Sequence, residues 1–452
     1  MVIINLLTAI ATRVLILVDG LVALARLAAV AFSCRSGEGS FKQRITARLT
    51  APDGLRLVLG AVRSLLPNLV VSRKFATAYD NGGSALVTRF TDVQEVLNRD
   101  DDFEVVYGSR MATITGGPNF FLGMADSPTY TRDVSNMRLA VRRSDVPGMV
   151  APFVSTEAAA LVAAAPGRID VPQDLTLKVP ARLLGAYFGT PGSSEQAMID
   201  WTTTMFWYLF IDLNADPAFD ARAAIAAEGC RAYLDQTIAA RKAAPLDQDD
   251  VLQRCLAMQA AGLPGMDDLG IRNYLIGLMI GLVPTTSRAS VQALDQLLDR
   301  PDALAGAQRA ALADDDDLLG RYVFEALRFN PVNPVIYRRA VRDTVIARNT
   351  LRARTIPRAT MVYAANLSAM FDRLQLPEPD SFRVDRPWED YILWGYGLHT
   401  CFGAHINRIA IPALLKPLLK QRGLRRADGL AGRIDTAGTP FPVHLMLEFD
   451  RA

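Results

Sequence analysis

The stretch WGYGLHTCFG, residues 394–403, sets three glycines, one of the chain's three histidines and one of its four cysteines into ten positions. A helical run, AHINRIAIPALLKPLLK, follows at once. Small residues let a backbone wrap closely round a sulfur and aim amide N–H groups at it, which marks this thiol as a candidate for chemistry.

Composition limits what that thiol can be. The 452 residues, half of them hydrophobic, are enough for a sizeable core. A balance of 49 basic against 47 acidic side chains leaves no charge excess of the kind that neutralises phosphates, so no nucleic-acid partner is expected. Cys34, Cys230, Cys255 and Cys401 form no CxxC pair, which suits a reduced, cytoplasmic setting. His399, His405 and His444 supply no HExxH, and GxSxG is absent, so the common zinc and serine-hydrolase sites are excluded. The chemistry must rest on one cysteine or on carboxylates.

Residues 1–32, MVIINLLTAIATRVLILVDGLVALARLAAVAF, are strongly apolar. Asn5, Thr12, Asp19 and Arg26 recur every seven residues, with Thr8 near the same line, so a helix here carries one narrow polar stripe. No basic leader or A-x-A cleavage site precedes it, which argues against a secretory signal. An interfacial helix contacting a membrane surface, a helix packed on its own domain or on a partner, and a spanning anchor stay open, the last made costly by Arg13 and Asp19. A linker is expected over 33–44, around SCRSGEGS, and a single domain over 45–452. Apolar spacing of three and four predicts helices near 154–165, 173–190, 220–242, 248–261, 267–299 and 317–329, and short Val/Ile/Thr runs such as ATMVYAA predict strands. The fold class is therefore mainly α with small β-sheets.

Three further elements stand in order. Glu325 and Arg328 lie one turn apart within GRYVFEALRF, an otherwise apolar helix, so a buried charge pair needing other partners is expected. Phe382 and Arg386 form FxxxR in EPDSFRVDRPWEDY, a short way before the opening stretch. ExxR, FxxxR and then Trp394, Gly397, Cys401 and Gly403 in an Fx2Gx3CxG-like pattern resemble the heme-thiolate cytochrome P450 family from about residue 45 to the end.

That resemblance implies a cytochrome P450-like fold, with a long central helix over heme b and a cysteine-ligand loop. It implies that Cys401 ligates the heme iron, and that Glu325, Arg328 and Arg386 form the network holding that loop. Trp394 stands where the family usually has Phe, with Gly395, Phe402 and Gly403 as further heme contacts. His399 and Arg338 match the family's propionate partners. In ADSPTYTRDVSNMR the usual His is Tyr130 and the usual Arg is Val134, so the propionate clamp is altered, with Arg132 or Arg138 as substitutes.

The central helix departs from the family in its acid–alcohol pair. The segment reads Gly281, Leu282, Val283, Pro284, Thr285, Thr286, keeping the alcohol as Thr285 and replacing the acid with Pro284. A mid-helix proline cannot bond the carbonyl of Ile280 and is expected to bend the helix and open a groove. A positioned acid normally contributes a factor of about 10² to 10⁴ by proton transfer. Thr285, Thr286 and water at the Ile280 carbonyl are the expected carriers in its place. Arg288 would hold a substrate acid only if its face of the helix points inward.

The resemblance implies a monooxygenase that inserts one oxygen atom from O2 into a hydrophobic small molecule, with an external donor such as a ferredoxin or flavin reductase. The missing acid also admits a peroxide-driven or hydroperoxide-rearranging enzyme, or a catalytically silent heme-binding sensor. Aromatic and aliphatic segments such as MIDWTTTMFWYLFI suit an apolar ligand.

Overall fold

The computed structural model describes residues 2–450. Ten short strands are set among the helices: β1 (Asn68–Val71), β2 (Gly83–Val87), β3 (Phe103–Glu104), β4 (Arg168–Asp170), β5 (Ile336–Ala340), β6 (Thr344–Ile346), β7 (Arg354–Ile356), β8 (Thr360–Ala364), β9 (Arg425–Arg426) and β10 (Met446–Glu448). The expected class, mainly α with small sheets, is what the chain adopts. It divides into two compact units.

The first unit comprises residues up to 76, 80–104 and 328–400. Its sheet has the order β1-β2-β8-β5-β3, with β2 and β8 parallel, and β6 and β7 form a separate pair. Phe90, Val93, Leu97 and Phe103 pack with Val362, Phe371 and Ile392 into its core. The N-terminal helix (Val2–Ser33) lies on the helix Pro52–Leu65, where a Cβ on Gly20 would come within 2.8 Å of Ser64 Cβ. Between them, the linker expected over 33–44 ends at Ser40. Ser40 Oγ accepts from the Gln43 amide and Gln43 Oε1 accepts from the Ser40 amide, a capping box that starts the helix Phe41–Thr50.

The second unit comprises residues 77–79, 105–327 and 401 onward. It holds the sheet β4-β10-β9 and the 31-residue helix Asp268–Leu298, about 46 Å long at 1.5 Å per residue. Asp267 Oδ1 caps that helix by accepting from the Gly270 amide at 2.8 Å. The helix is buried almost throughout and runs unbroken across Pro284. Through its middle, burial lapses at Gly277, Leu278, Gly281, Thr285 and Arg288, spaced so that they share one face. This is an open stripe on an otherwise enclosed helix.

Candidate heme-thiolate site

Cys401 precedes the helix Ala404–Leu419 and is the one exposed cysteine of four. Protein lies densely enough around it that desolvation pushes its thiol up, while the Gly403 amide, the charge of Arg138 and the Ala404 amide pull the other way. The loop thus surrounds the sulfur with donors and a cation that favour a thiolate.

Arg138 is the positive charge that acts on the Cys401 sulfur. Its guanidinium sits 4.0 Å over the Phe402 ring, and Nη1 donates to the Phe402 carbonyl at 3.1 Å. The same nitrogen lies 3.4 Å from His405 Nδ1, and the Phe121 ring is 5.2 Å from that of Phe402. Of the two arginines expected to replace the altered clamp, Arg132 is paired with Asp133 at 2.7 Å, whereas Arg138 stands beside Cys401 and Tyr130. Tyr130 is buried near it. His405, four residues after the sulfur, was not legible as a neighbour of Arg138.

The two threonines of the central helix differ. Thr285 lies on the open stripe and donates to the carbonyl of Gly281. Thr286 is 3% exposed and donates to Asn407 Oδ1 at 3.2 Å. Pro284 is buried, four residues before Arg288 on the same helix. Arg288 does share that stripe, 6.0 Å over the Phe441 ring.

Space along this unit also fits a large planar cofactor. A Cβ built on Gly281 or on Gly403 meets nothing within 4 Å, so neither glycine is required by neighbouring protein atoms. An accessible thiol with amides directed at it, and open space at both glycines, fit a sulfur-ligated porphyrin.

In the first unit, Gly397 adopts φ +73°, and a Cβ there would lie 2.6 Å from the Leu97 carbonyl, so only glycine fits. Gly395, at φ +80°, needs glycine for its backbone alone. Trp394 is half-buried in the same loop. The His399 side chain is 3.7 Å from Asp100 Oδ1, and burial together with the Arg338 charge depresses its ionisation to about 4. Arg338 is buried in β5 and donates to the Tyr337 carbonyl at 3.0 Å. His399 and Arg338 are thus two nitrogen donors close enough for the charge of one to act on the other.

The charged network is fully buried: Glu325 and Arg328 are both 0% exposed. Arg328 donates to the carbonyls of Met370, Pro379 and Ser381 at 3.0, 2.8 and 3.2 Å, and its guanidinium lies 4.5 Å from the rings of Phe329 and Phe371. Arg386 donates to Pro377, Glu378 and Ser381 at 2.8, 2.7 and 3.1 Å. Phe382 of FxxxR stacks on Phe329 with centroids 5.9 Å apart. The spacing that singled these residues out brings Arg328 and Arg386 to one carbonyl.

The sequence profile described as Cytochrome P450 matches residues 194–421, half of the chain. The chain is a cytochrome P450. Among its relatives, vitamin D(3) 25-hydroxylase of Pseudonocardia autotrophica is 25% identical over 74% of this chain and 79% of the relative. Mycinamicin IV hydroxylase/epoxidase of Micromonospora griseorubida is 26% identical over 74% of this P450 and 81% of the relative. The open cytochrome P450 EryK from S. erythraea has the same fold, with a TM-score of 0.73, 23% identity and coverage of 89% of this chain and 97% of the other. This P450 is a heme-thiolate monooxygenase whose cofactor is heme b. When bound, that group supplies the activation of oxygen, which a thiolate ligand favours.

Proposed function

We propose that this P450 inserts one oxygen atom from O2 into a hydrophobic small molecule, using electrons from a separate ferredoxin or flavin reductase. We further propose that it works in the cytoplasm with its N-terminal helix at a membrane surface. The observation that carries the reaction is Cys401, accessible and flanked by the Gly403 and Ala404 amides and Arg138. We assign Cys401 as the heme ligand and His399 and Arg338 as propionate partners. Glu325, Arg328 and Arg386 are assigned as the network behind the ligand loop, with Trp394, Gly395, Phe402, Gly403 and Tyr130 as cofactor contacts.

Thr285 is the hydroxyl positioned to hold a proton at the open stripe. Its Oγ1 donates to the Gly281 carbonyl and keeps lone pairs that can accept a hydrogen bond from water, while the Ile280 carbonyl is left without the amide that Pro284 lacks. Leu278 and the aromatic side chains around Phe441 and Phe206, with centroids 6.0 Å apart, favour an apolar substrate body. Arg288 favours an anionic end on that substrate. The deciding experiment is a reduced-CO difference spectrum: a red-shifted thiolate-type Soret band is expected, and its absence, or its persistence in Cys401→Ala, would refute the assignment.

A second reading, peroxide in place of O2 and reductase, is favoured by Pro284, which leaves no carboxyl group at the acid position. Turnover with peroxide and none with O2 plus redox partners would select it.

A further inference from the structure

The N-terminal helix is docked by one side, and of its polar stripe Asp19 turns inward while Arg26 stays exposed. Ile16, Gly20 and Ala23 are buried, and Asp19, half-buried, pairs with Arg373. Asp19 and Gly20 therefore face the helix's own unit, and Gly20 is where it approaches Ser64. The opposite side is apolar and open: Val14, Leu15, Leu17, Val18, Leu21, Val22 and Leu24 are all exposed, Leu21 at 62%, and Phe32 follows at 68%. A face of this size needs a partner.

Charge beside that face identifies the partner. Arg13 and Arg26 on the helix, and Lys42 and Arg48 on the adjoining helix Phe41–Thr50, are exposed, as is Phe41. Of the acids in residues 13–50, Asp19 is bound to Arg373 and only Glu38 remains. An apolar face bordered by cations fits an anionic lipid surface, where the side chains enter the headgroup boundary and the cations stay in water.

We infer that this helix docks in the plane of an anionic bilayer and does not cross it. The inference rests on the membrane-surface reading above and specifies its geometry. Crossing requires the helix to leave Ser64 and bury the Asp19 carboxylate in hydrocarbon without Arg373; lying flat keeps both contacts and immerses only the exposed side.

The test uses the full-length heme-loaded enzyme and vesicles of phosphatidylcholine with or without phosphatidylglycerol. Flotation with the anionic vesicles is expected, weakened by salt and by about fivefold for each of Arg13→Gln and Lys42→Gln. The triple variant Leu17→Glu, Leu21→Glu, Leu24→Glu should lose binding while keeping the thiolate-type CO spectrum, which shows that it has folded. Protease added outside sealed vesicles should remove an N-terminal epitope tag. Protection of the tag would overturn the in-plane geometry while leaving membrane contact intact. Absence of flotation, or concentration-dependent self-association abolished by the same glutamates, would overturn both.

Discussion

Arg328 and Arg386 meet at a single acceptor, the Ser381 carbonyl, which receives one hydrogen bond from each at 3.2 and 3.1 Å. Arg328 comes from the ExxR helix and Arg386 from the FxxxR segment, so this carbonyl ties the two elements together. Glu325, one turn before Arg328, is buried with it. The two guanidinium groups owe their tolerance to the carbonyls that surround them.

Removing one of them leaves the rest uncompensated. Arg386→Ala is expected to destabilise the protein by about 3 to 5 kcal/mol, the range for breaking a buried charge network. Arg328→Lys should fail similarly, because an ammonium cannot reproduce the fork that reaches Met370, Pro379 and Ser381. Denaturant unfolding and the yield of heme-loaded protein check both; unchanged midpoints would contradict the assignment.

The two threonines should separate cleanly. Thr285→Ala is expected to divert reducing equivalents into peroxide or water, read as product formed per NAD(P)H consumed. Thr286→Ala loses the bond to Asn407 and should cost about 1 kcal/mol of stability with coupling unchanged. Equal effects on coupling would show that the open stripe does not define the proton path.

Restoring the acid probes the proline. Pro284→Asp returns the amide that can bond the Ile280 carbonyl and supplies the missing carboxyl group, so oxygen coupling should rise. An unchanged product-to-NAD(P)H ratio would contradict a relay limited by that position.

Thiol reactivity should follow burial and cofactor. Burial is the main cause that pushes Cys230 and Cys255 up to about 12, and Cys34 is buried too. In the heme-loaded enzyme none of the four should alkylate, and heme extraction should expose Cys401 alone. Between pH 7 and 10, Cys230 and Cys255 remain protonated in the folded chain and should not accelerate, because the thiolate is the nucleophile. Rapid labelling of either in native protein would refute the packing.

Arg288 gives a substrate-level prediction. Arg288→Gln should weaken a long-chain carboxylate by about tenfold or more and leave its methyl ester unaffected, as expected for loss of one charge-assisted hydrogen bond. Substrate-induced spin-state shifts read both affinities, and equal losses would show that the cation acts only through packing.

The amino-acid sequence determined the elements whose logic is local. The glycine-flanked Cys401, the one-turn spacing of Glu325 and Arg328, the FxxxR arginine and the proline in place of an acid are each fixed by residue type and short spacing. Tertiary structure decided which side of each helix faces what, because periodicity sets angles between side chains and not the neighbour that receives them. It separated Thr285 from Thr286 by handing the second hydroxyl to Asn407, over a hundred residues along the chain. It set Arg138 over the Phe402 ring and paired Arg132 with Asp133, and it aligned Arg288 with the open stripe. In the N-terminal helix it chose the docked side by local fit: Asp19 pairs with Arg373 and Gly20 approaches Ser64, so these turn inward with Ile16 and Ala23, and a broad apolar side is left outward.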